Sequence, residues 1–262
     1  MATYLDKIIS DHREMAARDT RSTKELLRHV SSMQPCLGFR EALLGEGVSV
    51  IAEIKRKSPS RGALNLNLDP VVQAKAYSDF GASCISVLTD SQYFLGSLDD
   101  LLQVRNAVET PLLRKDFTVS RNDVLDARIY GADAVLLIVA ALQGHELLDL
   151  FSLAKEVGLD VLVEVHDQAE LDRALEIGAD IIGINQRDLF TFQVDVSRAR
   201  NLIAYIPKSV VKICESGIDS EVQMNELLEL GYDAALIGET LVKSNDPSAR
   251  LASLVSAGKS EV

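Results

Sequence analysis

Apolar and polar residues alternate along the chain in a repeating pattern. Four segments begin with a glycine that follows a helical pattern and precedes a strand-length apolar run; they start at Gly81, Gly131, Gly178 and Gly231, at near-equal intervals. A glycine in this position is typical of a helix end that leads into a strand. The repeat therefore predicts a chain assembled from similar βα units.

Further apolar runs lie between these segments, so that each period holds two βα units. The predicted strands cover residues 48–54, 84–88, 112–114, 134–139, 161–165, 181–184, 210–214 and 234–237. Alternating strands and helices indicate an α/β fold with a parallel sheet. Eight units favour closure into a (β/α)8 barrel. An open doubly wound sheet is the alternative, but no Gly-rich dinucleotide fingerprint follows the first strand.

The front of the chain follows a different pattern. Apolar residues recur at helical spacing between Tyr4 and Ile9, and a second helical pattern covers residues 23–30. A looser segment follows around Pro35 and Gly38. We expect residues 1–45 to form an N-terminal helical extension that packs on a single barrel domain spanning residues 1–262.

Composition narrows the class of protein. The chain has 262 residues and a net charge of −12, which disfavours nucleic acid and anionic membrane surfaces as partners. One barrel of roughly 250 residues fits this length. Three cysteines at long spacings indicate reduced thiols, and the charged amino terminus lacks the apolar region of a signal peptide. These features predict a cytoplasmic protein.

Polar residues gather where the predicted strands end, which is where barrels of this kind carry their chemistry. Side chains alternate between the two faces of a strand. We place one polar set on the face that points into the barrel, because on the outer face its charges would be buried under the helices. The inward set is Glu53, Lys55, Lys115, Glu164, Asn185 and Glu215. The alternative is a solvated rim of charges without a catalytic role.

Two glycines point to a phosphate ligand. Gly217 follows the seventh strand and Gly238 follows the eighth, and the loops after these strands often bind phosphate through backbone N–H groups. The alternative is a pair of ordinary turn glycines. The histidines are scattered without ligand spacing, so no metal is expected. His166 is interpreted as a loop or supporting residue, and Cys214 as a packed thiol.

Several motifs resemble those of indole-3-glycerol-phosphate synthases. They cover residues 51–60, 112–117, 162–166, 183–189 and 215–218, and the amino-terminal helices are also similar. The resemblance extends over essentially the whole chain and implies the TIM-barrel fold. It further implies the monofunctional form, because the sequence stops at Val262, soon after the eighth unit.

The resemblance implies a lyase reaction in tryptophan biosynthesis. A carboxyphenylamino-deoxyribulose 5-phosphate closes its ring, loses CO2 and loses water. Because the cationic ring takes up the electron pair released with CO2, the resemblance implies no cofactor. Lys115 matches the acid of ring closure, whereas Lys55, Glu53 and Glu164 match residues of the later steps, and Asn185 completes the predicted catalytic set. The matched substrate-binding residues are Ser58, Phe117, Leu136, Arg187, Leu189, Glu215 and Ser216. The matched phosphate-binding positions are Lys55, Ser216, Gly217, Gly238 and Glu239.

One of these positions departs from the pattern. Some family members carry serine where this chain has Glu239, and a carboxylate that faced the phosphate would repel it. If backbone N–H groups bind the phosphate, this side chain can turn to solvent. We also expect the N-terminal helices and residues 57–65 to cover the barrel mouth. The resemblance suggests association with other tryptophan-pathway enzymes. The rival functions are another phosphate-binding barrel enzyme and a catalytically silent barrel that acts as an interaction subunit.

Overall fold

A closed barrel of eight parallel strands forms the centre of the protein in the computed structural model, which describes residues 3–259. In chain order the strands are β1 (Ser49–Ile54), β2 (Lys57–Ser58), β3 (Gly62–Ala63), β4 (Cys84–Leu88), β5 (Leu112–Lys115), β6 (Ala134–Ile138), β7 (Asp160–Val165), β8 (Ile181–Asn185), β9 (Val211–Glu215) and β10 (Ala234–Ile237). Strands β2 and β3 form a separate antiparallel hairpin, and the others form the barrel. The barrel order is β1-β10-β9-β8-β7-β6-β5-β4, and β4 pairs with β1 to close it. The predicted (β/α)8 fold is confirmed, with strand limits correct to within one residue.

Helices surround the barrel. They are α1 (Tyr4–Arg18), α2 (Thr23–Val30), α3 (Phe39–Leu43), α4 (Pro70–Asp79), α5 (Leu98–Arg105), α6 (Arg121–Ile129), α7 (Glu146–Glu156), α8 (Gln168–Glu176), α9 (Ser197–Leu202), α10 (Glu221–Leu230), α11 (Glu239–Val242) and α12 (Pro247–Ala257). Because these helices cover the outer face of the sheet, strands such as β6 and β8 are buried along their whole length. Within residues 3–259, no helix has both the length and the apolarity that a bilayer span requires.

The segment before β1 closes the amino-terminal end of the barrel. Phe39 and Leu43 are completely buried. The backbone N–H of Leu37 donates to Asp133 beside β6, over 2.7 Å, and that of Arg40 donates to Asp160 at the start of β7, over 2.9 Å. The loose segment predicted around Pro35 and Gly38 is confirmed, because residues 34–38 lie outside any helix or strand. Directly after it, residues 39–43 form a short helix whose apolar side chains enter the core. The described part of the predicted 1–45 extension therefore includes a plug; residues 1, 2 and 260–262 lie outside the described residues.

Helix α1 lies at the opposite end, over the carboxyl ends of the strands. His12 Nε2 lies 2.9 Å from Asp90 Oδ2 in the loop after β4, and Arg13 donates to Glu146 at the start of α7 over 2.6 Å. The chain then turns at Arg21, whose guanidinium contacts Asp126 of α6 at 2.8 Å. These polar contacts hold α1 in place across the barrel mouth.

The His12 contact should depend on pH. Burial lowers the pKa of His12, but the nearby carboxylates of Asp90, Asp116 and Asp123 raise it by more, so that its pKa lies above the ordinary value. Asp116 also pairs with Arg114 at 2.9 Å. A raised folded pKa contributes stability that is complete below the unfolded pKa of about 6.5 and is lost as pH rises through the folded pKa.

We predict that His12→Gln lowers the free energy of unfolding by about 1–3 kcal/mol near pH 6, and by less near pH 9. Urea unfolding at the two pH values measures the difference. The matched control is His29→Gln, because His29 lies exposed on α2. An equal loss at both pH values would show that the protonated imidazole contributes nothing.

Candidate active site

A cavity of about 660 Å³ opens at the carboxyl end of the barrel. Its size is typical of a small-molecule site. Every residue that the sequence analysis assigned to the site lines this cavity. The structure therefore brings all of them to one place, which strand alternation and barrel closure together explain.

Lys115 occupies the centre of the cavity floor. Its ammonium nitrogen lies 3.0 Å from Glu164 Oε2 and 3.3 Å from Glu215 Oε2. These side chains come from the ends of β5, β7 and β9, and the two carboxylates are each 1% exposed. One cation thus lies between two carboxylates that are shielded from water.

Neighbouring groups hold the two carboxylates in place. The side-chain amide of Asn185 donates to Glu164 Oε1 over 3.0 Å. His166 Nε2 lies 3.4 Å from the same oxygen, and its Nδ1 lies 2.9 Å from Glu170. Gly183 leaves the space that Glu215 occupies, because a Cβ at this position would collide with the Glu215 carboxylate. His166 is therefore a supporting residue behind Glu164, as its position past the inward-facing run predicted.

The charge states follow from these contacts. Burial lowers the pKa of Lys115, but the carboxylates around it raise it by more, so that its pKa lies above the ordinary value. Burial raises the pKa of Glu164, whereas Lys115, His166 and Asn185 lower it by more. Burial and repulsion from Glu164 raise the pKa of Glu215 to about 8, against the opposing effect of Lys115. At neutral pH the floor therefore offers a protonated amine beside an ionised carboxylate.

A second ion pair lies at the end of β1. Lys55 donates to Glu53, and both side chains are largely buried. A Cβ at residue 238 would collide with the Glu53 carboxylate. Gly238 therefore lets the Glu53–Lys55 pair approach the loop after β10.

The turn after β9 has an unusual backbone. Ser216 and Gly217 both have positive φ angles, 69° and 74°, and a serine in this region costs about 1–3 kcal/mol. The Ser216 hydroxyl donates to Asn185 Oδ1 over 2.9 Å, and Gln186 donates to the Ser216 carbonyl over 2.7 Å. These bonds hold a strained turn at the cavity edge, which favours a functional role for it.

An apolar wall completes the cavity. Phe117, Leu136 and Leu189 line the cavity, as the sequence analysis predicted, and Leu5 and Ile8 of α1 line it as well. The two α1 residues were not in the predicted site. Helical spacing in the sequence indicates that they are buried, but it does not show which surface they pack against. The mouth is thus apolar on one side and ionic on the other.

The Glu239 side chain is held by neighbouring cations. Its carboxylate does not turn toward solvent but contacts Arg61 at 3.1 Å, Lys243 at 2.5 Å and Arg187 at 3.5 Å. Arg61 belongs to the turn of the short hairpin β2–β3, within the segment 57–65 that the sequence analysis predicted to cover the barrel mouth. Attraction by three cations outweighs the hydration that would draw the carboxylate outward.

A buried cluster beneath α1 was also missed. His12, Asp90 and Asp116 place one ligand atom each within 4.8 Å of one another. No spacing could reveal this group, because its members come from α1 and from the loops after β4 and β5. Arg114 already neutralises Asp116, and His12 pairs with Asp90, so ion pairs within the protein account for the charges of this cluster.

Cys214 is completely buried, as its interpretation as a packed thiol requires.

Comparison with known proteins gives one consistent match. The family model described as Indole-3-glycerol phosphate synthase matches residues 5–254. The indole-3-glycerol phosphate synthase of Chlorobium phaeovibrioides is 46% identical over 247 residues, which is 93% of this chain and 96% of that protein. The synthase of Mycobacterium avium is 45% identical over 259 residues, covering 98% and 95% of the two chains.

Solved structures share the fold at low identity. The thiamine phosphate pyrophosphorylase of Pyrococcus furiosus superposes with a TM-score of 0.62 at 15% identity, over 83% of this chain and 96% of that one. The N-acetylmannosamine-6-phosphate 2-epimerase of Clostridium perfringens gives 0.60 at 15%, over 76% and 90%. These likenesses support the barrel fold alone.

Removing the Lys115 ammonium should lower the free energy of unfolding by an amount that increases with pH. In Lys115→Met, Glu164 and Glu215 face each other without a cation, so burial and repulsion raise their folded pKa values above the unfolded value of about 4.3. Such a shift costs stability that grows as pH rises above the unfolded pKa. We predict a loss of about 3–5 kcal/mol at pH 8 and a smaller loss at pH 5, measured by urea unfolding. The control is Lys208→Met at an exposed position; a loss that does not vary with pH would contradict the assigned charges.

Proposed function

Because this chain belongs to the indole-3-glycerol phosphate synthase family, we propose that the cavity at its barrel mouth closes the indole ring of 1-(2-carboxyphenylamino)-1-deoxyribulose 5-phosphate. The protein is an enzyme of tryptophan biosynthesis, and we assign it to the carbon–carbon lyases. The observation that carries the proposed chemistry is the Lys115 ammonium beside ionised Glu164 on the floor of a half-apolar cavity.

The first step needs an acid. The aromatic carbon that bears the carboxyl group attacks the sugar carbonyl, and the carbonyl oxygen must take up a proton as the new C–C bond forms. We assign this donation to Lys115. Among its neighbours, ionised Glu164 contributes most to keeping it protonated in the free enzyme.

The second step needs no cofactor. Ring closure leaves a cationic ring, and loss of CO2 returns the electron pair of the broken C–C bond to that ring. The protein has only to hold the flat ring in place and keep water away. We assign this task to the wall of Phe117, Leu136 and Leu189, with Leu5 and Ile8 as the cover on the side of α1.

The third step removes water. The C–OH bond breaks with a proton from an acid, and a base takes the proton from the neighbouring ring carbon so that the indole double bond forms. We assign these transfers to Lys55, Glu53 and Glu164, while Asn185 fixes the carboxylate of Glu164. Glu215 and Ser58 hold the substrate in the same pocket.

The phosphate should lie at the ionic side of the mouth. We propose that backbone N–H groups of the Ser216–Gly217 turn and of Gly238 contact it, with Lys55 as a nearby charge and Arg187 at the rim. Glycine suits both turns because its backbone can approach a ligand without a Cβ in the way. Glu239 directs its carboxylate to neighbouring cations and is not itself a ligand.

We further propose that the enzyme acts in the cytoplasm and associates with other enzymes of the tryptophan pathway. Its three cysteines are free thiols, which suits a reducing compartment. Localisation of a tagged chain tests the compartment. Co-sedimentation with purified pathway enzymes tests the association, and independent sedimentation of each protein would remove that part of the proposal.

We predict that Lys115→Met lowers kcat about 10²–10⁴-fold, the range for loss of a general acid. The assay follows indole fluorescence from the synthetic substrate, and circular dichroism checks that the barrel is folded. Lys208→Met serves as the control for loss of a lysine charge. Turnover of Lys115→Met at nearly the normal rate would overturn its role.

We also predict that removing residues 1–20 lowers kcat/KM about tenfold or more while the barrel still unfolds cooperatively. This cut takes away the α1 cover but keeps Arg21 and the plug at Phe39. A cut through residue 40 would instead remove Phe39 from the core. Failure of the shorter variant to fold would show that α1 serves the fold and not the site.

A further inference from the structure

Three cations from three separate loops converge on one carboxylate at the barrel mouth. Arg61 extends from the hairpin after β1, Arg187 from the loop after β8, and Lys243 from the end of α11. All three contact Glu239 within 3.5 Å. All four side chains line the cavity that also contains Gly217 and Gly238.

The charge of this cluster is unusual for the chain. Three cations against one carboxylate leave an excess of two positive charges, although the whole chain carries −12. A phosphate monoester dianion carries the charge that would balance this excess. The other pair at this edge, Glu53 with Lys55, is already neutral by itself.

The contacts of Glu239 with Arg61 and Lys243 can be exchanged at little cost. The side chains of Arg61 and Lys243 are 57% and 49% exposed, and that of Glu239 is 25% exposed. Ion pairs this accessible to water contribute little to stability. A phosphate offers these cations three oxygens and a second negative charge, so it competes well for them.

Resting on the proposed function, we infer that Glu239 is a placeholder for the substrate phosphate, and that Arg61, Lys243 and Arg187 transfer their contacts from Glu239 to the phosphate when substrate binds. Before substrate binds, Glu239 thus positions the cations and supplies part of their counter-charge. Arg61 and Lys243 thereby become determinants of specificity for a phosphorylated substrate, and the exchange draws the hairpin β2–β3 toward the ligand.

The alternative is an ordinary set of surface ion pairs. Lys243 follows Glu239 by one helical turn, and such pairs occur on many helices without a ligand. The two interpretations differ in what the phosphate contributes. A surface pair affects phosphorylated and dephosphorylated substrates alike, whereas a placeholder matters only when phosphate is present.

The test compares the synthetic substrate with its analogue that lacks the phosphate. In Arg61→Gln and in Lys243→Gln, the ratio of kcat/KM for the substrate to that for the analogue should fall about tenfold. Lys208→Gln, at an exposed site just before β9 on the far side of the barrel, should leave the ratio as in the parent. Ratios equal to the parent value in both test variants would overturn the inference.

Glu239→Gln provides a test of opposite sign. It removes the competing carboxylate, so inorganic phosphate should inhibit this variant at about two- to fivefold lower concentration than the parent. Equal or weaker inhibition would contradict a placeholder. If the unmodified enzyme fails to convert the phosphorylated substrate, the proposed function itself is wrong; if it converts the substrate and the variants do not respond as stated, only the inference on Glu239 is wrong.

Discussion

The burial of one ammonium between two carboxylates is the constraint on which the active site depends. Moving such charges out of water is costly, and their mutual attraction compensates only if the geometry is close and the remaining oxygens are bonded. Lys115, Glu164 and Glu215 meet at about 3 Å because the ends of β5, β7 and β9 face one interior. An open sheet would place these strand ends along an edge, too far apart to share a cation.

Smaller features of the barrel serve the same arrangement. Gly183 leaves room for the Glu215 side chain, and Asn185 links Glu164 to the strained turn at Ser216. Each of these contacts joins the carboxyl end of one strand to a neighbour. The polar residues of the floor therefore form a connected network, in which the position of one acid depends on the loops of two other strands.

The amino-terminal segment connects stability with access to this network. Residues 36–43 close the barrel where the strands begin, and α1 covers it where they end. The covering helix is held by polar contacts, of which His12 with Asp90 is buried. Such contacts are weaker per area than an apolar core, which suits a cover above a site that must admit substrate.

The sequence alone determined the barrel and the inward-facing polar set. Apolar periodicity reports local backbone geometry and burial, so it located eight strands, and alternation then selected Glu53, Lys115 and their partners. Tertiary structure alone decided the contacts between loops: the three cations on Glu239, the pairing of His12 beneath α1, and the plug at Phe39. These contacts join residues far apart in the chain, and periodicity carries no information about distances between loops that meet only after the barrel has closed.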